Sequence, residues 1–238
     1  MGYDAAEEEA NGDTQYCLFI KRFIMNKIAI FGAGGLGKEV ASTIERINRK
    51  QPTWELIGFY DDGVEKGRQI SHYGSVIGGV NELNNVQEPL SVVIAIGSPN
   101  SLRSVRERIV NPLISFPNII FEPFDCADFS TLKLGEGNII QGYCYASCDV
   151  TIGNFNVLNG LVLIGHDATI GDYNVIMPSV RISGEVKIGN CNLLGVCSII
   201  LQQLKIGNGV HLGAGAVLMT KPKDNSTYIG NPAKLFRF

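Results

Sequence analysis

The sequence predicts an α/β plus β chain: a small parallel-sheet domain followed by a parallel β-helix built from hexapeptides. Three observations predict it. First, every sixth residue from Leu134 to Leu218 is aliphatic, through Ile140, Ala146, Ile152, Leu158, Ile164, Ile170, Ile176, Ile182, Ile188, Leu194, Ile200, Ile206 and Leu212. A period of six fits neither the 3.6-residue helix nor the alternating strand, and it is the signature of stacked hexapeptide coils. Second, Gly135, Gly153, Gly171, Gly189 and Gly207 recur at a spacing of 18, each directly after a ladder aliphatic, so three hexads make one coil. Third, the apolar run Lys27-Ile28-Ala29-Ile30-Phe31 opens into Gly32-Ala33-Gly34-Gly35-Leu36-Gly37 ahead of a helical stretch, the order of a strand–turn–helix unit.

Residues 1–24 form a leader in which Asp4, Glu7, Glu8, Glu9 and Asp13 precede Leu18-Phe19-Ile20-Lys21-Arg22-Phe23. Its apolar part is too short and interrupted for a secretory segment, and either a disordered tail or a mis-called start is expected. The first domain then occupies residues 25–122. Its expected elements are a strand at 27–31, a helix at 38–49, a strand at 54–60 ending in Asp61-Asp62-Gly63, and a strand at 91–96 ending in Gly97-Ser98. A helix at 102–110 and a short strand near 119–121 complete it. This order implies a small Rossmann-like parallel sheet with a ligand crevice at the strand C-termini. Gly32, Gly34, Gly35 and Gly37 would offer bare helix-N-terminal amides to phosphate oxygens. Asp61 and Asp62 lie at the distance along the chain where a second-strand carboxylate meets a ribose or base. At roughly 95 residues the domain is cramped for a full dinucleotide fold, which favours a mononucleotide or nucleotide-sugar crevice.

The β-helix is expected over residues 123–218, with a C-terminal tail at 219–238. Glycine suits the corner after each ladder residue because it tolerates positive φ and close backbone approach. Asn138, Asn156, Asn174 and Asn192 also recur at 18, which implies a stacked asparagine row. The slot four residues after each ladder position holds Cys144, Val150, Val162, Ala168, Val180, Val186, Ser198, Val210 and Ala216. Both sets should point inward and fill a narrow prism, roughly 22 Å tall at ~4.8 Å per coil.

A net charge of −3 speaks against a general nucleic-acid-binding surface. No apolar stretch approaches the length of a membrane span. The six cysteines show no CxxC and no zinc spacing, Cys144 falls on an inward slot, and reduced thiols in the cytoplasm are expected. Of the three histidines, His72 falls in a loop and His211 on a coil face directly before Leu212. His166 follows Leu163-Ile164-Gly165 and precedes Asp167, where side chains near a corner face outward. Histidine is the usual general base near neutral pH, and a neighbouring carboxylate orients its ring. A zinc lyase on such a helix needs three histidine ligands. Only His166 and His211 lie in the coils, so no metal site is expected.

Over residues 26–238 the chain resembles the bacterial hexapeptide-repeat sugar acetyltransferases of the sialic acid O-acetyltransferase (NeuD/PglD-like) family. That family includes UDP-amino-sugar N-acetyltransferases. The resemblance rests on the opening loop Gly32 to Val40, on Asp61-Asp62 and Ala95-Ile96-Gly97 at strand ends, and on Asn159 seven residues before His166. It rests also on the closing Ile229-Gly230-Asn231-Pro232-Ala233-Lys234. It implies left-handed coiling, a homotrimer, and acetyl-CoA as co-substrate in the groove between neighbouring subunits. His166 would deprotonate a sugar amine or hydroxyl, Asp167 would assist, and Asn159 would position the reacting groups. The Gly184 amide would face the thioester, with Val196 and Ala214 along the pantetheine path. Lys221 and Lys234, with Lys223 and Arg237, would suit CoA phosphates, and Gly97 would join the crevice. One departure stands out: Val175 and Ser179 replace a histidine and a glycine of the family pattern, which removes a polar group from acetyl or acceptor positioning. The leading expectation is N-acetylation of a nucleotide-linked amino sugar. O-acetylation of sialic acid or another sugar is the alternative. An inactive nucleotide-sugar-binding scaffold and a nicotinamide-dependent enzyme are the readings from other classes.

Overall fold

The computed structural model describes residues 25–237; the leader at 1–24, with Cys17, lies outside the described residues. The apolar runs of the first third pair into one parallel sheet. Strands β1 (Asn26–Phe31), β2 (Trp54–Tyr60), β3 (Val76–Gly78), β4 (Leu90–Ile94) and β5 (Ile114–Ser115) lie in the order β3-β2-β1-β4-β5. Helices α1 (Gly35–Lys50), α2 (Val80–Asn84) and α3 (Pro99–Arg108) alternate with them. The central β1 reads as a continuous apolar run because it is covered on both faces, and Ile28 through Ile30 are fully buried. β3, α2 and β5 are too short to show a period, and pairing with neighbours fixes them instead. Ile119–Ile120 does not complete this sheet, as the sequence led us to expect. It pairs with Ile139–Ile140 and is a rung of the solenoid.

From there the chain winds a left-handed parallel β-helix with three faces. The first face carries Ile139–Ile140, Val157–Leu158, Val175–Ile176, Leu193–Leu194 and His211–Leu212. The second carries Tyr145–Ala146, Leu163–Ile164, Arg181–Ile182, Ile199–Ile200 and Val217–Leu218, and the third Lys133–Leu134 through Lys205–Ile206. In these coils each strand pairs with the residues 18 places on, without slips. Ladder residues from Ile140 to Leu218 are buried, as are the inward-slot residues from Cys144 to Ala216. Burial pushes the Cys144 thiol up to about 11, so it acts as a small core residue. Lys221 lies beyond the last ladder residue, but residues 219–238 do not form a free tail. Thr227–Ile229 extends the first face and Lys234–Phe236 folds back antiparallel on it.

The corner glycines have a different reason from one of the two expected. Gly153 and Gly171 do not adopt positive φ. A methyl group on Gly171 would lie 2.7 Å from the Gly189 carbonyl oxygen and overlap the Asn190 amide, so close coil stacking alone excludes a side chain. Positive φ occurs two residues later, at Tyr143, Asp149, Phe155, Leu161, Asp167 and every sixth residue on to Gln203, with φ of 53–67°. Most of these are ordinary L-residues in a conformation that costs roughly 1–2 kcal/mol each. Their amides bond to the preceding coil, as Tyr173 N–H does to Asn154 O at 3.0 Å, which offsets the strain.

The asparagine row closes the corner between the third and first faces. The Asn174 amide donates to Asn156 Oδ1 (3.0 Å) and to the Gly189 carbonyl (2.9 Å), and its own Oδ1 accepts from Asn192 N–H (3.0 Å). All four side chains are fully buried.

The outward side chains distinguish the three faces. On the first, Ile139, Val157 and Val175 are buried in one core with β1, β4 and α3. At its edge Phe155 stacks on Tyr173 and meets Phe116 edge-on, with Arg106 over the Phe116 ring. The second face leaves Tyr145 and Leu163 more than one-third exposed. The third is polar, with Thr151, Thr169, Lys187 and Lys205 outward.

Asn174→Ala leaves the Asn192 amide and the Gly189 carbonyl buried without partners, and should cost about 2–4 kcal/mol in chemical denaturation. Ser198 Oγ is buried without a hydrogen-bond partner among the described residues, so Ser198→Ala should be neutral or stabilising by up to about 1–2 kcal/mol.

Candidate active site

The corner between the second and third faces holds the one histidine paired with a carboxylate of its own corner. His166 lies two residues after the buried ladder Ile164, so its side chain leaves the prism. Asp167 occupies the left-handed slot (φ 56°), a conformation aspartate tolerates better than most residues. His166 Nδ1 lies 2.8 Å from Asp167 Oδ2. A carboxylate can only accept, so Nδ1 carries a proton, and in the tautomer this contact selects Nε2 is the acceptor nitrogen. Both side chains are about half exposed, so within one protomer the corner is open to water.

Gly184 sits one coil beyond His166 at the same corner. A methyl there would lie 2.5 Å from His166 Nε2. Glycine is therefore required by the imidazole that lies against it. A groove of about 590 Å³ runs from Asp167 along the third face past Glu185, Lys187 and Lys205.

The other candidate residues lie at different corners. Asn159, Val196 and Ala214 occupy the corner between the first and second faces. Val196 and Ala214 are exposed, whereas Asn159 is half-buried and donates to Ile176 O (3.3 Å) and Met177 Sδ (3.7 Å). Lys221 and Lys234 are both exposed. Val175 packs under the N-terminal domain. It lies on a different face from His166, so its replacement of a histidine takes no group from the His166 corner.

In the N-terminal crevice, Gly32 has φ 113° and lies against the Ala95 carbonyl, while Gly37 packs on the Gly32 carbonyl. Gly34, Gly35 and Gly97 face open space. Helix α1 has no side-chain cap, so its first amides are available to an anion. Asp61 and Asp62 have internal partners. Asp61 accepts from Ala33 N–H and Gly63 N–H at 2.8 Å, which fixes the glycine loop. Asp62 accepts from Val80 N–H at the start of α2 (2.9 Å) and pairs with Arg108 (2.8 Å). His72 is exposed on the surface beside Glu45. His211 lines a polar cleft with Ser98, Asn100 and Asn225, a setting the coil-face reading missed. Among the described residues no three His, Cys, Asp or Glu side chains converge where they could hold a metal ion, and no helix is long and apolar enough to cross a membrane.

Gly184→Ala should displace the His166 ring and break its contact with Asp167, visible in a crystal structure of the variant, at a stability cost of about 1–3 kcal/mol.

Residues 27–113 match the family model of the PglD N-terminal domain. No curated protein matched the chain. Among solved structures, the acetyltransferase domain of PglB from Neisseria gonorrhoeae shares 26% identity, with 89% of this chain and 100% of that one covered and a TM-score of 0.80. Perosamine N-acetyltransferase from Caulobacter crescentus, in complex with CoA and GDP-perosamine, shares 22% identity over 90% of this chain and 98% of that one (TM-score 0.77). WeeI from Acinetobacter baumannii AYE shares 23% over 89% and 100% (TM-score 0.78). Residues 27–113 thus carry a PglD-type N-terminal domain, set on a hexapeptide-repeat β-helix whose fold is that of the PglB acetyltransferase domain.

Proposed function

We propose that the chain is a cytoplasmic homotrimer that transfers the acetyl group of acetyl-CoA to the amine of a nucleotide-linked amino sugar, with His166 as general base. The observation that carries this is the His166–Asp167 pair, Nδ1 held by the carboxylate and Nε2 free above Gly184. The crystal structure of perosamine N-acetyltransferase with CoA and GDP-perosamine supports the substrate class, and the PglB acetyltransferase domain supports the acyl transfer. In the reaction the acceptor nitrogen attacks the thioester carbonyl and its proton passes to His166 Nε2. The C–S bond then breaks, and the proton returns to the departing thiolate. Asp167 orients the ring and stabilises its charged form. The Gly184 amide is assigned to the developing oxyanion.

The placement of the two candidate corners supports a trimer. His166, Asp167 and Gly184 lie at one edge of the second face, and Asn159, Val196 and Ala214 at the other, about 15–20 Å apart in one prism. The face between them exposes Tyr145, Leu163 and nearby Leu161, beside Arg181, which donates to the Leu161 carbonyl. Turning that face toward a threefold axis buries it and brings the His166 corner of one copy to the Val196–Ala214 corner of the next. CoA would lie in this seam, with Lys221 and Lys234 toward its phosphates. The acceptor's nucleotide would rest in the Gly32, Gly34, Gly35, Gly37 and Gly97 crevice, where Asp61 and Asp62 shape the loops. Free thiols at Cys126, Cys144, Cys148, Cys191 and Cys197 fit a reducing compartment.

Thiol release from acetyl-CoA should appear with UDP- or GDP-linked 4-amino sugars and fall about 10²–10⁴-fold in His166→Ala, with folding unchanged. Release with sialic acid instead would reassign the acceptor to a hydroxyl. Tight sugar binding without any release across the panel would leave a non-catalytic role.

A further inference from the structure

A second cavity, of about 490 Å³, lies at the end of the α/β sheet opposite the crevice, where α1 meets the start of the solenoid. Its walls are the last turns of α1 with Arg46, Ile47, Arg49 and Lys50, the start of β2 at Trp54, and Ile120–Phe121 beside the first rung. The volume is that of a small-ligand site. Its chemistry is divided. Ile47, Ile120, Trp54 and Phe121 supply apolar and aromatic surface, and none of them is fully exposed. Three cations face one carboxylate, Glu122. Lys50 pairs with Glu122, and the Arg46 guanidinium lies 4.0 Å from the Phe121 ring centroid. Arg49 has no hydrogen-bond or ion-pair partner among the described residues. Cations in the last turn of α1 favour the helix dipole, but that does not account for the concavity or for the half-buried indole on its wall.

We propose that this cavity binds a nucleoside phosphate, with the phosphate on Arg49 and Lys50 and the base against Trp54 or Phe121. An inorganic anion would leave the aromatic wall unused, and an apolar ligand would cover Arg49 without giving it a partner. A flat ring joined to a phosphate satisfies both, since guanidinium binds phosphate in a fork and indole offers a stacking face. The site is separate from the crevice. Trp54 and Tyr60 are the two ends of β2, about 20 Å apart, and the crevice opens beyond Tyr60. Its occupant would clamp α1 between the sheet and the solenoid. Because α1 begins in the glycine loop, the ligand would grip the far end of the helix that forms the crevice.

Trp54 is the chain's only tryptophan, so its fluorescence reports on this cavity directly. The full-length protein is titrated with UMP, with uridine and with inorganic phosphate. The expected result is saturable quenching by UMP, none by uridine, and a UMP affinity about tenfold or more weaker in Arg49→Glu, whose thermal melt matches the parent. Absence of quenching by UMP overturns the proposal. So does quenching that uridine reproduces, or that Arg49→Glu leaves unchanged.

Discussion

Every coil must repeat the height and direction of the one before it, because the asparagine row bonds each coil to both neighbours at one corner. Asn156 donates to Asn138 and to the Gly171 carbonyl, and accepts from Asn174. A single inserted residue would break several buried hydrogen bonds at once and would turn ladder residues outward. That is why the six-residue period runs without interruption from Leu134 to Leu218. The corner glycines serve the same constraint, since a β-carbon at Gly153 would clash with the next coil. The left-handed residues between them turn the chain, and their strain is offset by amide bonds to the coil before.

Rigid stacking lets three similar faces take three different tasks. The first is roofed by the α/β domain through Val157, Val175 and Phe155. The second exposes Tyr145 and Leu163 beside Arg181, and the third is solvated. The same register places His166 directly over Gly184, so the catalytic reading rests on a relation between two coils as much as on the histidine. Neither residue would be held in place by a loop of ordinary flexibility.

Much of this was legible because period and burial coincide. The ladder, the inward slots and the asparagine row could all be read from spacing, and so could β1, β2 and the His166-Asp167 pair. The role of the faces was not read, although the signal was present. The residue before each ladder position runs Ile139, Val157, Val175, Leu193 on one face and Thr151, Thr169, Lys187, Lys205 on another. Reading every eighteenth residue at that position separates covered from solvated surface. The partners of Asp61 and Asp62 were hidden for a different reason. They depend on how the Ala33 loop, α2 and Arg108 meet in space, which no local pattern encodes. The location of positive φ was misread because most of its carriers are residues other than glycine, among them Tyr, Phe, Leu and Cys.

The proposed site is completed between copies, across the second face. Co-assembly of two inactive chains tests it most directly: His166→Ala, which keeps the Ala214 corner, and Ala214→Trp, which blocks that corner but keeps the histidine. Random mixing regenerates an intact seam at about one interface in four, so activity should return to roughly a quarter of the parent. Mixed assemblies that stay inactive while each variant remains folded and trimeric would contradict it, and would place both corners' functions within a single protomer.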